Sequence, residues 1–497
     1  MIERLGLATD LSGQADAPLM LYAVLGLPLL LGLLGGVLRP ARGWPVALVG
    51  LLPLSALGWL TAASAGGPGQ SGTFEVGSLM LHWRLNGLTL VLLLLTQAIV
   101  LASALYAPSY LREMAQASRR GQAGFWPLLG VLAASLSLIW VAADLLLLYI
   151  GLEVMGLAVV GLLLLPGKAD ALVAGLRYLL LALVGSLAYL LGSALLLGAW
   201  GRLDLAGLAE AAEPGALPWV AVALLSAGLL LKAAVFPLHA WLVPVHGAAW
   251  IPISALHAGL VVKASFFIAL QLWLVLVPAA ASAAALIGVM AAGAVTWGGV
   301  MAWRAATLKE VVAWSTVSQL GYLLLAFPLL VGSGKAVAAL AWDGTWLQLA
   351  AHGLAKAAMF LAAGNLILAT GEARVEGLAG ASRRFPISLL SFGMAAISLV
   401  GLPPSMGFTA KWLLLHAALA GGHWAWMAVL AIGTLLSAAY VFRIFRYSFI
   451  EDAPEYEYRR VPWGMELIAL LLALAALLLG LAADWPLSLL RGAGGEP

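Results

Sequence analysis

Residues 229–242 read LLLKAAVFPLHAWL. Lys232 stands inside an apolar run long enough to cross a membrane, and Pro237, five residues on, breaks any helix that continues through it. A charge and a helix breaker side by side suit neither lipid nor a soluble core. The surrounding sequence says which environment applies. Of 497 residues, 63% are hydrophobic and only 9% charged, against about 25% charged in soluble chains. Apolar runs near the roughly 20 residues of a bilayer crossing recur from end to end. Lipid offers no partner to an unpaired backbone group, so the runs must be helices. A transmembrane β-barrel would alternate in short segments, whereas these runs are continuous. The reading is an all-α polytopic membrane protein. The opening MIERLGLATDLSGQADAP lacks the charged-then-apolar pattern of a cleaved signal, so the first span is expected to direct insertion.

Fourteen spans are expected, near 19–38, 44–64, 84–106, 124–142, 144–166, 171–199, 217–244, 248–276, 281–301, 306–331, 343–370, 385–419, 422–447 and 462–488. Two of them, 217–244 and 385–419, are unusually long and carry proline well inside: Pro237 in one, Pro403 and Pro404 in the other. The loops after odd-numbered spans, with the span ends that border them, hold sixteen of the 25 lysines and arginines, and the opposite side holds five. The positive-inside rule then puts both termini outside a bacterial-type cytoplasmic membrane. The four basic residues left over, Lys232, Lys263, Lys356 and Lys411, all lie well within spans.

Each charge within a span costs at least about 2.5–3.5 kcal/mol, so residues of this kind face a bundle interior or a wet cavity. Lysine loses its proton readily when desolvated, which lets a row of lysines pass a proton through water. Glu153, near the middle of the fifth span, is the expected partner of Lys232. An opposite charge holds a lysine protonated, and withdrawing it favours release. Asp144, about two and a half turns earlier, reads either as an ordinary interfacial acid or as a support to the path. Lys309 follows Arg304 at a loop, so snorkelling is the plainer reading, and lining a cytoplasmic entrance the other. His257 and His352 precede Lys263 and Lys356 by six and four residues. A four-residue spacing shares a helix face. Both either line the path or satisfy core hydrogen bonds. His239, two after Pro237, is placed to bond carbonyls freed by the break. His82, His416 and His423 look interfacial.

The stretch LLLKAAVFPLHAWLVPVHGAAWIPISALHAGLVVKASFF resembles the seventh and eighth spans of the proton-conducting antiporter-like subunits. These are the D and A chains of Mrp cation/proton antiporters and the L, M and N chains of respiratory complex I, with relatives in hydrogenase and carbon-accumulating complexes. LHWRLNGLTLVLLLL, RYLLLALVGSLAYLLGSALLLGAWGRLDLAGLAE, LKEVVAWSTVSQLGYLLLA, HGLAKAAMFLAAGNLI and ISLVGLPPSMGFTAKWLLL match the family in order, from about residue 80 to 450. The resemblance implies fourteen helices with two inverted five-helix repeats, each holding one broken helix. That divides the chain into helices one to three (1–123), a first repeat (124–276), a second repeat (281–450) and a last helix with its tail (451–497). It also implies a Glu153–Lys232 pair and proton transfer through Lys263, Lys356 and Lys411. A lysine rather than glutamate at 411 disfavours the M type, and the ending RGAGGEP disfavours the long lateral helix of the L type. Mrp D and complex I N are the nearest matches. Val243, Pro244 and Val245 before His246, and Gly247, Ala248, Ala249 and Trp250 after it, depart from the family's Pro-Asp-Ala-His and Ala-Glu-Ala-Pro, and Asn86 replaces a common aspartate. These changes remove acids from the outer loop and put a cation site there in doubt.

The leading functional expectation is a proton-translocating subunit of a multi-subunit membrane complex, with sodium as a second candidate cargo. The chain has no cysteine, which removes iron–sulfur clusters, thiolate chemistry and disulfides from it. With no nucleotide or metal motif either, no cofactor or metal is expected in this chain. Basic residues scattered over loops at a net charge of +3 do not suggest nucleic acid. A quinone-binding subunit of a respiratory NADH dehydrogenase-like complex and a membrane subunit of an inorganic-carbon-accumulating complex are the alternatives. An inert scaffold would have no use for five intramembrane charges. Electron transfer, a sodium gradient and carbon capture are all compatible driving reactions.

Overall fold

Lys232 ends one half of a broken helix in the computed structural model of the chain, which describes residues 17–38, 70–76, 79–114, 119–213, 215–277, 281–331, 333–450 and 459–491. The expected span 44–64 lies outside these residues. Nine described helices are long and apolar enough to cross a membrane, and five shorter apolar ones accompany them. In chain order they begin with α1 (Ala17–Val37), α2 (Gly87–Glu113), α3 (Arg119–Val141), α4 (Leu145–Leu164) and α5 (Ala169–Trp200). A short α6 (Leu205–Ala211) precedes the first broken helix, α7 (Ala216–Lys232) with α8 (Leu242–Ala248). Then come α9 (Ile251–Leu276), α10 (Ala281–Arg304), α11 (Leu308–Leu330) and α12 (Lys335–Thr370). The second broken helix is α13 (Pro386–Val400) with α14 (Met406–Ala420), followed by α15 (Trp424–Ser448), α16 (Trp463–Leu478) and α17 (Asp484–Arg491).

Helices α9, α11 and α12 form the buried centre. Helices α5 and α15 present most of their surface outward, through residues such as Leu180, Val184, Leu187, Leu435 and Phe442. This division follows from composition: the lysines and histidines lie mainly on central or broken helices, and the all-apolar faces are left to lipid.

Two features depart from the sequence reading. An antiparallel hairpin, β1 (Gln70–Val76) and β2 (Leu79–Leu85), precedes α2. Its second strand, LMLHWRL, alternates Leu81 and Trp83 with Met80 and His82, a two-residue period that a hydropathy window averages away. Helix α2 therefore starts at Gly87, where Asn86 and Thr89 form a reciprocal cap. The expected span 462–488 divides into α16 and α17.

The break geometry depends on close backbone approach. Helices α5 and α7 cross where Gly185 faces Gly228, and a Cβ on Gly228 would overlap the Gly185 carbonyl. Small residues at such crossings let helices pack without a hydrophobic driving force. This contact brings the Lys232 stem against α5, where a Cβ on Gly185 would lie 3.1 Å from Lys232 Cγ. At the second break Gly407 does the same job, since a Cβ there would overlap the Ser398 carbonyl.

Gly228→Ala is expected to destabilise the purified protein by about 1–3 kcal/mol through overpacking, read as a lower thermal midpoint in detergent. Gly198→Ala, on the same helix as Gly185 but with open space around it, should leave the midpoint unchanged or slightly raised. Equal midpoints for the two variants would refute the close-approach account.

Candidate functional site

At the first break, α7 stops at Lys232 and leaves carbonyls without helical partners. Trp241 Nε1 donates to the Leu231 carbonyl at 3.0 Å, and the Val235 amide reaches Leu230 at 3.1 Å. Ala234 occupies the left-handed region at φ 54°, a conformation that costs a non-glycine residue roughly 1–2 kcal/mol. His239, expected to bond these carbonyls, instead stacks on Phe236 and meets Trp314 edge-on. The larger indole reaches the helix end from farther along the chain.

Lys232 Nζ lies 2.9 Å from Glu153 Oε1, and the hydroxyl of Ser186 on α5 donates to the same oxygen. The lysine side chain is 7% exposed and the glutamate 26%. The ammonium is thus enclosed, while the carboxylate borders the outer face of the bundle beside Ile150, Val154 and Leu157. Lys232 also occupies the last turn of α7, the negative end of that helix.

Inward from the pair lies an aromatic and imidazole cluster. Tyr178, within electrostatic reach of Glu153, contacts Trp241 and His257 edge-on, with ring centroids 4.9 and 5.8 Å away. His257 in turn meets His246 at 5.1 Å, and His246 stacks on Phe360 of α12 at 4.7 Å. Both nitrogens of both imidazoles are buried without a protein hydrogen bond. His257 opens a π-helical turn, His257–Val261, inside α9. Such turns expose carbonyls and recur at functional sites. Lys263 Nζ donates to one of them, the Ala258 carbonyl.

The second half of the row follows on α11, α12 and α14. Lys356 Nζ donates to the Val312 carbonyl at 2.9 Å and to the Ser315 hydroxyl. Lys263 is within electrostatic reach of Lys356 and His352, and His352 of Lys411. Lys411 Nζ donates to the Leu399 and Val400 carbonyls at 2.9 and 3.1 Å, and lies 4.1 Å from the ring centre of Tyr322. These carbonyls are the loose end of α13, which Gly401 closes in the left-handed conformation. Pro403, Pro404 and the cap Ser405 then restart the chain as α14.

The structure brings Glu153 and Lys232 together, and Lys263, Lys356, Lys411, His257 and His352 into one buried row. Asp144 sits elsewhere. It caps α4, accepting the Leu146 and Leu147 amides at 2.8 and 3.4 Å, and faces His82 at 3.6 Å. Lys309 does not snorkel to solvent: it donates to the Gly247 and Ala249 carbonyls at 3.2 and 2.7 Å, tying α11 to the end of α8. Three groups escape the sequence reading as site residues. His246 is visible there only as part of a departing motif. Gln319 and Gln348 are linked at 3.1 Å and continue to Ser437 at 3.2 Å; only their spacing from Tyr322 and His352 hints at a shared polar interior. Asp343 on α12 pairs with Arg491 of α17 at 2.8 Å, its side chain 4% exposed; in sequence it reads as the polar edge of a span. Among the described residues no group of three or more histidines and acids is arranged to hold a metal.

Chains of known kind resemble this one in sequence and in fold. A family described as NADH:quinone oxidoreductase/Mrp antiporter, TM, matches residues 142–437. The N subunit of NADH-quinone oxidoreductase from Desulforudis audaxviator is 31% identical over 361 residues, 71% of this chain and 70% of its own. The D-type Na+/H+ antiporter subunit of Bacillus subtilis is 27% identical over 403 residues, 79% of each chain. Among solved structures, a chain of the Mrp complex from Dietzia superposes with a TM-score of 0.86 at 24% identity, covering 96% of this chain and 97% of its own. A chain of respiratory complex I from Thermus thermophilus gives 0.77 at 26% identity, covering 96% of this chain and all of that one.

The Asp343–Arg491 pair should couple by about 0.5–3 kcal/mol in a double-mutant cycle. Asp343→Leu, Arg491→Leu and the double variant are compared by thermal unfolding. The expected result is that the two single losses do not add, the double variant losing less than their sum. Additive losses would remove the pair from the fold's support.

Proposed function

Since the chain belongs to the NADH:quinone oxidoreductase/Mrp antiporter transmembrane family, we propose that it moves protons along the Glu153–Lys232–Lys263–Lys356–Lys411 row as one subunit of a larger membrane complex. The observation that carries this reading is the 2.9 Å ion pair of Lys232 and Glu153 at a helix break, continuous inward with three more buried lysines. Among the described residues none of these three has a carboxylate within ion-pair distance; each rests on backbone carbonyls, with the Ser315 hydroxyl and the Tyr322 ring added at two of them. Carbonyl and hydroxyl oxygens accept from an ammonium and bind a neutral amine more weakly, so each position can hold a proton without trapping it.

Lys232 gives its proton up when the Glu153 carboxylate moves away. The leaving proton passes through water, with the free nitrogens of His257 and His246 as intermediate acceptors, to the Lys263 amine. His352 stands between Lys263 and the Lys356–Lys411 end. One proton enters and one leaves per cycle, and the lysines end as they began. Lys309 ties α11 to the end of α8, His239 packs against Trp314 of α11, and Asp144 supports α4, which carries the acid. Pro237, Pro403 and Pro404 supply the breaks, and the two broken helices support the inverted-repeat reading of residues 124–276 and 281–450. The relatives' names, an N subunit of NADH-quinone oxidoreductase and a D-type Na+/H+ antiporter chain, support other membrane subunits as partners and leave sodium beside the proton as cargo. The proposed location is a bacterial cytoplasmic membrane with both termini outside.

Lys232→Ala and Glu153→Ala are expected to abolish proton movement, measured with a pH-sensitive dye in vesicles, in complexes that still assemble. Glu153→Gln keeps the Ser186 contact and removes the charge, so it should slow transport at least about tenfold, the effect of 1.4 kcal/mol. Full pumping by an assembled Lys232→Ala complex would overturn the proposal. Lys356→Ala should also stop transport, and Lys356→Arg should not restore it, because a guanidinium does not release its proton.

A further inference from the structure

A groove of about 490 Å³ lies between α13 and α15 on the outer face of the bundle, and every residue lining it is apolar. Met394, Ile397 and Val400 form one wall; Ala438, Phe442 and Phe445 form the other. Its lining on α13 runs from Leu390 to Val400, ten residues or about 15 Å along the helix. Open to the outer face along its length, the slot is wide enough for one hydrocarbon chain.

The charge at one end says what chemistry the chain carries. Residues 438, 442 and 446 recur every fourth position, so Arg446 continues the groove wall of α15 by one turn. Arg446 is exposed and, among the described residues, has no hydrogen-bond or ion-pair partner. Its neighbour Arg443 is occupied, donating to the Trp303 and Ala305 carbonyls and pairing with Glu376. The Gly380 amide bonds the Ile450 carbonyl at 2.9 Å, which brings the exposed Arg383 and Arg384 to the same edge. Guanidinium groups bind phosphate in a bidentate fashion.

We propose that this groove is a site for one anionic phospholipid, with an acyl chain in the α13–α15 slot and the phosphate on Arg446. The inner end of the acyl chain rests on Val400 and Leu402, at the break whose Leu399 and Val400 carbonyls hold Lys411. The lipid thereby braces the loose end of α13 in the position that receives the Lys411 ammonium. The site stands on the groove and on Arg446 alone, and does not rest on the proton-transfer reading.

The test is native mass spectrometry of the purified full-length chain, delipidated and then offered phosphatidylglycerol or phosphatidylcholine of matched chain length. One phosphatidylglycerol should stay bound at low lipid excess, and phosphatidylcholine should bind at least about fivefold less. Ala438→Phe fills the slot and Arg446→Gln removes the phosphate contact; each should cut retained phosphatidylglycerol by about fivefold or more. Both positions are exposed, so folding is checked by an unchanged thermal midpoint. Equal retention of the two lipids, or retention unaffected by both substitutions, overturns the proposal. So does a photo-crosslinker at position 438 that captures polypeptide and no lipid in native membranes.

Discussion

The 2.9 Å contact between Lys232 and Glu153 is the constraint that organises the rest of the molecule. A charge in hydrocarbon has to be met by the protein, and meeting this one takes three helices. Glu153 must come from α4, Ser186 must fix its oxygen from α5, and the α5–α7 crossing must be close enough to deliver Lys232. The small residues at Gly185 and Gly228 allow that crossing. Stopping α7 at Lys232 places the ammonium at a negative helix end and obliges the chain to satisfy the carbonyls it has released. Trp241 does so, and in turning inward it becomes one wall of the cluster that holds His257.

The two breaks solve the same problem in different ways. In the first the lysine precedes the break, and an indole from beyond it closes the carbonyls. In the second the lysine follows the break and closes them itself, with the Tyr322 ring over it. Lys411 therefore serves both as a cap for α13 and as the last member of the row. The left-handed residue is Ala234 in the first break and Gly401 in the second. The first break thus holds backbone strain that the second avoids, and the strained one adjoins the ion pair.

The lysines, the acid and the prolines were legible in the sequence because each offends the bilayer on its own, by several kilocalories per mole, whatever its neighbours are. The helical class was legible for the same reason. What escaped depends on partners distant in the chain. Trp241 outcompetes His239 for the released carbonyl because its reach is longer, which spacing alone does not disclose. His246 becomes a site residue only when α9 and α12 set His257 and Phe360 against it. Asp343 resembles a boundary until α17 returns to cover it with Arg491. The β1–β2 hairpin was hidden because apolar alternation over seven residues is averaged away in a hydropathy window.

Four lysines with one carboxylate make the row electrostatically coupled. Two charges 10 Å apart at an effective dielectric of 20 repel by about 1.7 kcal/mol, and each 1.36 kcal/mol changes proton affinity tenfold. Glu153 neutralises the charge at Lys232 and no other. On the proposed path, a proton arriving at Lys263 is felt at Lys356 and His352, which lie within its electrostatic reach. Glu153 is the member of that proposed path that borders the outer face, so it can be displaced from outside the bundle without opening its centre.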